Sequence, residues 1–394
     1  MVCAANLINR AGTMALPFMV LYLTRRLGLS PGQAGLTITA YGIGAMITGP
    51  LAGRLCDRVG AVRIMRYSLI VSGIMLLAFP WVRGMGAILV SSFLLAMASE
   101  AFRPAILAAL TELIAPEQRR AGFALSRLAV NLGMSVGPAV GGFLAMISFP
   151  SLFWVDGATS ILAGIFLMVL SRTERAGSHR AETGTMVPGG FSRLFSDRRM
   201  LYFLSALLPI LVVFFQHVST MPLFLVRDLH LSEALYGILF TLNTAIVILI
   251  EVPLNTAMAH WSHRSSLALG AFLVGSGFGA MAFATGFGTA AATVVLWTFG
   301  EMILLPGTSA YVAEIAPRGR QGKYLGLYTM TFSVAFAIGP SLGTQILERF
   351  GATVLWAAVF AAGCLSAGMM TRIPGRPILS AAGAPRTEAS PETP

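Results

Sequence analysis

The stretch G-M-S-V-G-P-A-V-G-G, from Gly133 to Gly142, decides how the rest of the chain is interpreted. Four glycines and one proline lie here inside an apolar segment of about 25 residues, long enough to cross a bilayer. A soluble helix would be destabilised by them, whereas membrane helices use small residues to let neighbouring backbones approach closely. The stretch therefore predicts a membrane-embedded packing helix.

Composition supports a membrane protein. The chain has 394 residues, of which 56% are apolar and 11% are charged. A soluble domain has about 25% charged residues, so this chain could not cover a surface that faces water. The net charge of +11 does not indicate nucleic acid, because the basic residues fall between the apolar segments, as membrane topology signals do. The three cysteines are far apart, and they predict neither a disulfide framework nor a metal site.

The apolar segments predict an all-α integral membrane fold with twelve transmembrane helices. A bilayer core needs about 20 apolar residues of helix, and this criterion selects the ranges 4–24, 33–55, 64–82, 86–113, 121–146, 151–171, 200–226, 233–257, 265–284, 288–313, 323–347 and 352–371. With both termini in the cytoplasm, 19 Lys and Arg residues lie in cytoplasmic loops and 5 on the opposite side. This asymmetry predicts cytoplasmic termini.

The chain divides into two similar halves. We predict an N-terminal six-helix bundle (1–171), a cytoplasmic linker (172–199), a C-terminal six-helix bundle (200–373) and a disordered cytoplasmic tail (374–394). The segment E-A-F-R-P-A-I-L-A-A-L-T-E-L-I-A-P starts at Glu100, and E-M-I-L-L-P-G-T-S-A-Y-V-A-E-I-A-P starts at Glu301. Gly137-Pro138 is repeated as Gly339-Pro340. Such parallel repeats predict two pseudo-symmetric bundles around a site near the bilayer midplane.

A second motif lies between the second and third predicted helices. It has the pattern G-x-x-x-D-R-x-G, with Gly53 first and Gly60 last. Gly60 permits a tight reversal, while Asp57 could cap a helix start or pair with a basic residue of the opposite bundle. An ordinary capped surface loop is the alternative. We predict a conformational latch on the cytoplasmic side, made of Gly53, Asp57, Arg58, Gly60, Arg63, Glu112 and Arg127.

These two motifs resemble those of the major facilitator superfamily. The glycine-rich stretch matches the antiporter motif of its drug:proton antiporter branch at Gly133, Gly137, Pro138, Gly141 and Gly142, and it lies in the fifth predicted helix. The loop resembles the superfamily's signature cytoplasmic loop, although Ala61 and Val62 replace its usual basic pair. The resemblance implies alternating access between two six-helix bundles, with the cavity lined by helices one, four, seven and ten. A generic glycine-rich packing helix is the alternative for the antiporter motif.

Ionisable residues inside a membrane are costly and therefore suggest function. Glu301 has no basic residue within a helical turn, and burial favours the neutral form of a carboxyl group, which suits a residue that exchanges protons. Glu100 and Arg103 are three residues apart, so a local ion pair is as reasonable as a transport role. We predict Glu301, Glu100 and Glu251 as proton-coupling residues. For Glu301, a hydrogen-bonded structural acid remains the alternative.

Polar residues on the predicted cavity helices define the other candidate positions. Histidine ordinarily titrates near neutral pH, although a packing role for His217 is equally reasonable. Arg127 could neutralise Glu112 or bind an anionic group. We predict that the substrate cavity is lined by Asn6, Asn9, Arg10, Thr13, Arg103, Gln216, His217 and Thr220.

The predicted function is secondary active transport by alternating access, most specifically proton-coupled efflux of small amphipathic molecules of the multidrug type. The alternatives are a carrier of one solute, such as a lysolipid, siderophore or metabolite, and a non-transporting membrane receptor on the same fold. We expect no enzyme activity, because the G-x-S-x-G pattern at Gly133 lies in a predicted membrane helix without the strand and tight turn that a hydrolase needs. We expect no cofactor, metal or nucleic acid. The expected partners are a small-molecule substrate, protons and lipids, for a monomer in a bacterial plasma membrane.

Overall fold

The computed structural model describes residues 1–114, 118–170, 197–258, 260–317 and 321–373. Helices account for most of this part of the chain. Their bounds are α1 Val2–Gly12, α2 Ala15–Leu21, α3 Pro31–Val59, α4 Ala61–Ala78, α5 Met85–Glu100, α6 Phe102–Leu113, α7 Arg119–Ile147, α8 Phe149–Leu170, α9 Arg198–Phe214, α10 Thr220–Leu223, α11 Glu233–Ala257, α12 His263–Gly279, α13 Phe287–Ile315 and α14 Gln321–Met370. Most of the predicted linker and the whole predicted tail lie outside the described residues, as do several of the arginines counted for orientation.

The all-helical membrane fold is confirmed, but the number of crossings is not. Ten helical segments in the described ranges are long and apolar enough to cross a membrane, judged by length and composition. The last of them, Lys323–Met370, contains two helical arms that meet at Gly351, whose φ is 82°. The first predicted span is made of the shorter helices α1 and α2, which do not meet the length criterion. Twelve crossings and cytoplasmic termini therefore stay predictions.

The first predicted span is broken at Thr13 and Met14, and a buried acid holds the break. Asp156 of α8 accepts hydrogen bonds at Oδ2 from the backbone N–H groups of Met14 and Ala15, both at 3.0 Å. Asp156 is 5% exposed. Backbone donors at a helix start have no partner within the helix, and the carboxylate satisfies two of those of α2. Asp156 therefore organises the first span.

The two halves share an unusual loop, which supports the sequence repeat. Both Tyr22–Arg26 and Phe224–Asp228 form a π-helical turn that ends a broken span. Two residues after the end of each turn, one residue lies in the left-handed region: Gly28 has φ 68° and His230 has φ 54°. A serine then caps the next helix in each half, Ser30 at α3 and Ser232 at α11. These features recur at one offset along the chain.

The start of the second half is fixed by Asp197, which lies just before α9. Its carboxylate accepts hydrogen bonds from the backbone of Arg199 and Met200 and from the Tyr324 hydroxyl of α14, at 2.9, 3.3 and 2.5 Å. Burial tends to raise the pKa of Asp197, but these hydrogen bonds outweigh burial and hold the pKa below its ordinary value. The helix therefore begins at Arg198, two residues earlier than predicted.

Most helix packing lies within each half of the sequence, and two helix pairs make the most extensive contacts between the halves, with a smaller contact between α2 and α10. In the first half α1 packs on α7 and α8, α3 on α5, and α4 on α8. In the second half α12 packs on α13 and α14, and α9 on α14. The halves meet where α3 crosses α14 and where α7 crosses α11. The predicted domain boundaries stay a prediction, because the linker between the halves is not described.

The α3–α14 contact is close at one end and absent at the other. A Cβ atom on Gly42 would lie 2.8 Å from the Cα of Ala337, so only glycine fits this crossing. Further along the same face of α3, a Cβ atom on Gly49 or Gly53 would meet nothing within 4 Å, and the same holds for Gly326 of α14. The two helices therefore diverge toward the end that the sequence predicts to be cytoplasmic.

The α7–α11 contact continues further in that direction. A Cβ atom on Gly142 would lie 2.6 Å from the carbonyl oxygen of Glu233. Ser135 lies seven residues before Gly142 on α7, and its carbonyl accepts a hydrogen bond of 2.8 Å from the Thr241 hydroxyl of α11. Arg127 and Glu251 then form an ion pair between the same two helices. The halves are thus joined along the length of this crossing.

Candidate functional site

A cavity of about 220 Å³ lies between the two halves. It is bordered by α7 of the first half and by α9, α11 and α13 of the second, together with the short segment that follows α9. The lining residues are Asn131, Met134, Phe214, His217, Phe240, Asn243, Thr244, Val247, Trp297 and Glu301. The cavity is mainly apolar with a few polar groups, which is the usual composition of a small-molecule site.

Glu301 of α13 is the acidic group of the cavity. The Asn243 amide of α11 donates a hydrogen bond of 2.9 Å to Glu301 Oε2 and a second of the same length to the Thr298 hydroxyl. Asn243 therefore positions the carboxyl group, and no other hydrogen bond to Glu301 is found in the described ranges. Oε1 is consequently available to a ligand or a proton.

Aromatic rings surround His217 on the other side of the cavity. The ring centroids of Phe214, Phe240 and Trp297 lie 4.8, 5.8 and 6.3 Å from that of His217. His217 Nδ1 is 2.6 Å from the Phe214 carbonyl oxygen. Because a carbonyl only accepts, Nδ1 carries the hydrogen, and Nε2 of the neutral ring is an acceptor. The cavity thus combines two acceptors with aromatic faces, which attract organic cations.

Two of the residues predicted beside His217 lie away from the cavity. Gln216 is 2% exposed, and its amide donates to the carbonyls of Val212 and Gly339 at 2.8 and 2.9 Å. Its oxygen accepts a hydrogen bond of 2.9 Å from the Thr220 hydroxyl, which is fully buried. Both side chains therefore tie the broken seventh span to α14.

Sequence reasoning missed several lining residues, including Asn131, Asn243 and Trp297. The two asparagines carried a usable signal, because an amide inside an apolar span requires a polar partner. They lie on α7 and α11, which the family resemblance did not assign to the cavity. The position of Trp297 depends on tertiary packing, and no local pattern marks it.

In the first half, the predicted polar face of α1 mostly makes packing contacts. The Asn6 amide donates to the Ser126 hydroxyl of α7 at 3.2 Å, and the Asn9 amide donates to the Ser160 hydroxyl of α8 at 3.1 Å. The Thr13 hydroxyl bonds the Asn9 carbonyl one turn earlier at 3.0 Å. The two asparagines hold α1 to α7 and α8, and none of the three side chains borders the described cavity.

Arg10, Glu100 and Arg103 form a separate charged cluster with Tyr41. Glu100 accepts a hydrogen bond of 3.1 Å from the Tyr41 hydroxyl and forms an ion pair of 3.1 Å with Arg103. Arg10 is close enough to Glu100 and Arg103 to interact with both charges. The Tyr41 ring contacts Phe336 of α14, with centroids 6.1 Å apart, so this cluster lies beside the boundary between the halves.

The predicted latch residues fall into two groups. Arg127 pairs with Glu251 of the opposite half, and the two side chains are 63% and 13% exposed. Glu112 is not its partner; it lies near Asp57, and the two acids interact as like charges. Asp57 lies in the last turn of α3 and does not cap a helix start, because the helix ends only at Gly60, whose φ is 97°. Arg58 and Arg63 are exposed, and neither forms an ion pair with an acid within the described ranges.

The antiporter-motif glycines contact two different helices. A Cβ atom on Gly137 would lie 2.9 Å from the Thr13 carbonyl oxygen, and one on Gly141 would lie 3.1 Å from the Met14 Cβ atom. Gly133 is equally tight against Arg10. Gly142 faces α11, as described above, and Pro138 presents its carbonyl to Gly237 of α11. The motif therefore packs α7 against both the broken first span and the opposite half.

These features define the class of protein: a multi-span helical membrane protein with a cavity between two repeated halves. The sequence model of the Major Facilitator Superfamily matches residues 2–232 and 217–390. The chain belongs to this superfamily.

Similar proteins are transporters. YqjV of Bacillus subtilis, an MFS-type transporter, is 26% identical over 348 residues, which are 87% of this chain and 84% of that protein. The quinolone resistance protein NorA of Staphylococcus aureus is 27% identical over 157 residues, 40% of each chain. A peptide transporter POT has a TM-score of 0.76 at 17% identity, covering 94% of this chain and 92% of its own. A D-xylose–proton symporter has a TM-score of 0.73 at 14% identity, covering 94% of this chain and 96% of its own. These structures show the shared fold.

Proposed function

We propose that this transporter exports small amphipathic molecules in exchange for protons, by alternating access. The observation that carries the proposal is the cavity between the halves, in which the Glu301 carboxyl group faces aromatic rings. An aromatic and apolar lining with one acid suits an amphipathic cation, because the rings bind its apolar part and its charge. The partial similarity to a quinolone resistance protein supports the same substrate type.

The contacts between the halves support alternating access. They are close at the end predicted to face outward and open between α3 and α14 at the opposite end. A cavity reached from the cytoplasmic end is the arrangement from which an exporter loads its substrate. Because α3 and α14 pack closely at Gly42 and diverge toward Gly53 and Gly326, the two halves have room to tilt toward each other.

Glu301 is the residue we assign to proton coupling. It lies close enough to Glu251 to interact with its charge, and Glu251 is paired with Arg127 of the other half. Adding or removing a proton at Glu301 therefore changes the field at an ion pair that joins the halves. At a membrane potential of 100 mV each inward proton contributes about 2.3 kcal/mol, which can drive substrate outward.

A proteoliposome assay tests the proposal. The purified protein is reconstituted, a pH gradient is imposed, and accumulation of the cationic dye ethidium is measured for wild type, Glu301→Gln and Glu100→Gln. We expect Glu301→Gln to lose gradient-driven accumulation by at least about tenfold, since the amide cannot carry a proton. Movement of ethidium down its own gradient should continue in this variant, because the cavity keeps its shape.

Asp228→Asn is the matched control. Asp228 pairs with the adjacent Arg227 at the exposed end of a π-helical turn, and it does not line the cavity, so its loss should leave accumulation unchanged. Full gradient-driven transport in Glu301→Gln would show that the coupling assignment is wrong, and a loss confined to Glu100→Gln would move the assignment to Glu100. Accumulation of one metabolite with no movement of ethidium would favour a carrier of a single solute.

A further inference from the structure

The charged cluster of the first half contains more positive than negative charge. Arg10 and Arg103 both lie near Glu100, which already forms an ion pair with Arg103 and accepts a hydrogen bond from the Tyr41 hydroxyl. Asp156 is the other acid whose charge reaches Arg10, but its Oδ2 atom is used by two backbone N–H groups. Two guanidinium groups therefore share one carboxylate.

Arg10 shows where a partner is lacking. Its Nε atom is buried without a hydrogen-bond partner, and the described residues provide no ion pair to its guanidinium group. A buried charge without a partner is costly, so such a group in a transporter is expected to serve an ion or ligand. The side chain of Arg103 is 67% exposed and can turn toward the same ligand.

A row of rings connects this cluster with the cavity. Tyr41 contacts Phe336, Phe336 contacts Phe215, and Phe215 contacts His217, with centroid separations of 6.1, 4.9 and 6.3 Å. Three successive ring contacts thus lead from Tyr41 of the cluster to His217, which borders the cavity together with Glu301. The two regions have opposite polarity and belong to opposite halves of the chain.

We infer that the transporter prefers amphoteric substrates, whose carboxylate binds Arg10 and Arg103 while their protonated amine binds at Glu301. This inference rests on the proposed function and adds a second contact, between the carboxylate of the substrate and the two arginines. Guanidinium groups suit a carboxylate, because their N–H groups match its two oxygens. A substrate with both charges would bind both halves, whereas a simple cation would bind only at Glu301 in the second half.

The experiment compares norfloxacin, which has a carboxylate and a piperazine amine, with its ethyl ester, which keeps the amine and lacks the carboxylate. Binding to the detergent-solubilised protein is measured by equilibrium dialysis, and gradient-driven uptake by the same proteoliposome assay. We expect wild type to bind the acid at least about tenfold more tightly than the ester, because hydrogen bonds to charged groups are among the strongest in proteins.

Variants locate the effect. In Arg10→Gln and Arg103→Gln the preference for the acid should fall below about twofold, while binding of the ester stays unchanged and serves as the test of folding. Arg10→Lys, which keeps the charge, should retain part of the preference and replaces Arg10→Gln if that variant does not fold. Arg83→Gln is the control, because Arg83 bonds the carbonyls of Pro80 and Val82 in its own loop.

Equal binding of acid and ester by wild type would overturn the inference, and so would an undiminished preference for the acid in arginine variants that still bind the ester. Such a result would leave the proposed function intact if the ester is still accumulated in response to the pH gradient. Conversely, selective binding of the acid without any gradient-driven uptake of either compound would contradict the proposed proton-coupled export and support the amphoteric site.

Discussion

At the scale of single residues, neighbours in the sequence have different roles here. His217 and Glu301 border the cavity, as predicted, whereas Gln216 and Thr220 hold the helices together. The cause is local: Phe215–Val218 forms a 3-10 turn, so the helical spacing that placed Gln216, His217 and Thr220 on one face does not apply. The sequence identified the polar residues of this span but not the direction in which each one points.

Asp156 illustrates a buried acid whose observed contacts are structural. We predict that Asp156→Ala lowers the free energy of unfolding by about 2–4 kcal/mol, since it removes a helix cap and leaves two buried N–H groups without acceptors. Asp156→Asn, which keeps one carbonyl acceptor, should cost less. Thermal unfolding of the purified variants in detergent would measure both. A stable Asp156→Ala variant that has lost transport would contradict this assignment.

At the scale of helices, the sequence located the apolar segments well and their interruptions poorly. The segment predicted at 233–257 coincides with α11, and most other boundaries differ by only a few residues. The break between α1 and α2 carried only a weak local signal, Gly12 before it and Pro17 after it, and the acid that stabilises it is more than a hundred residues away. Hydropathy reports burial in lipid, and it does not report such long-range hydrogen bonds.

The paired loops after the π-helical turns allow an element-scale prediction. Gly28→Ala should lower the free energy of unfolding by about 1 kcal/mol, because L-residues other than glycine are disfavoured in the left-handed region. A Cβ atom at Gly28 would meet nothing within 4 Å, so the cost is conformational. His230→Gly should have the opposite effect, with a gain of up to about 1 kcal/mol.

Thermal unfolding of the two loop variants and of His230→Ala provides the comparison. His230→Ala should be nearly neutral, because the left-handed conformation is equally disfavoured before and after the change. If His230→Ala lowers stability as much as Gly28→Ala does, then the loss in His230→Ala comes from a side-chain contact of His230 and not from backbone conformation.

At the scale of the whole molecule, the repeat predicted from Glu100 and Glu301 reappears in the structure as matched loops and helix crossings. The composition of the cavity could not be predicted in the same way, because it depends on how α7 and α11 approach each other. The resemblance to the superfamily directed attention to helices one, four, seven and ten. Here α7 and α11 supply several of the lining residues.

The divergence of α3 from α14 makes a prediction about motion. Spin labels introduced by Gly53→Cys and Gly326→Cys should move closer when the halves close at the end predicted to be cytoplasmic, because both positions lie on the open parts of these helices. Labels at Ser135 and Thr241, which lie at the continuous α7–α11 crossing, should change less. Pulsed electron paramagnetic resonance at acidic and alkaline pH measures both distances in the membrane. Equal changes in both pairs would contradict this prediction.

The unequal crossings have one further consequence. Because the halves are joined along α7 and α11 but diverge between α3 and α14, the molecule has a lateral opening on the α3–α14 side. A compound already dissolved in the leaflet on the predicted cytoplasmic side could then reach the cavity laterally, between α3 and α14, without first entering the aqueous phase. For an apolar substrate, the concentration available to the cavity would be its concentration in lipid. The apparent affinity measured in vesicles should therefore vary with the amount of membrane present.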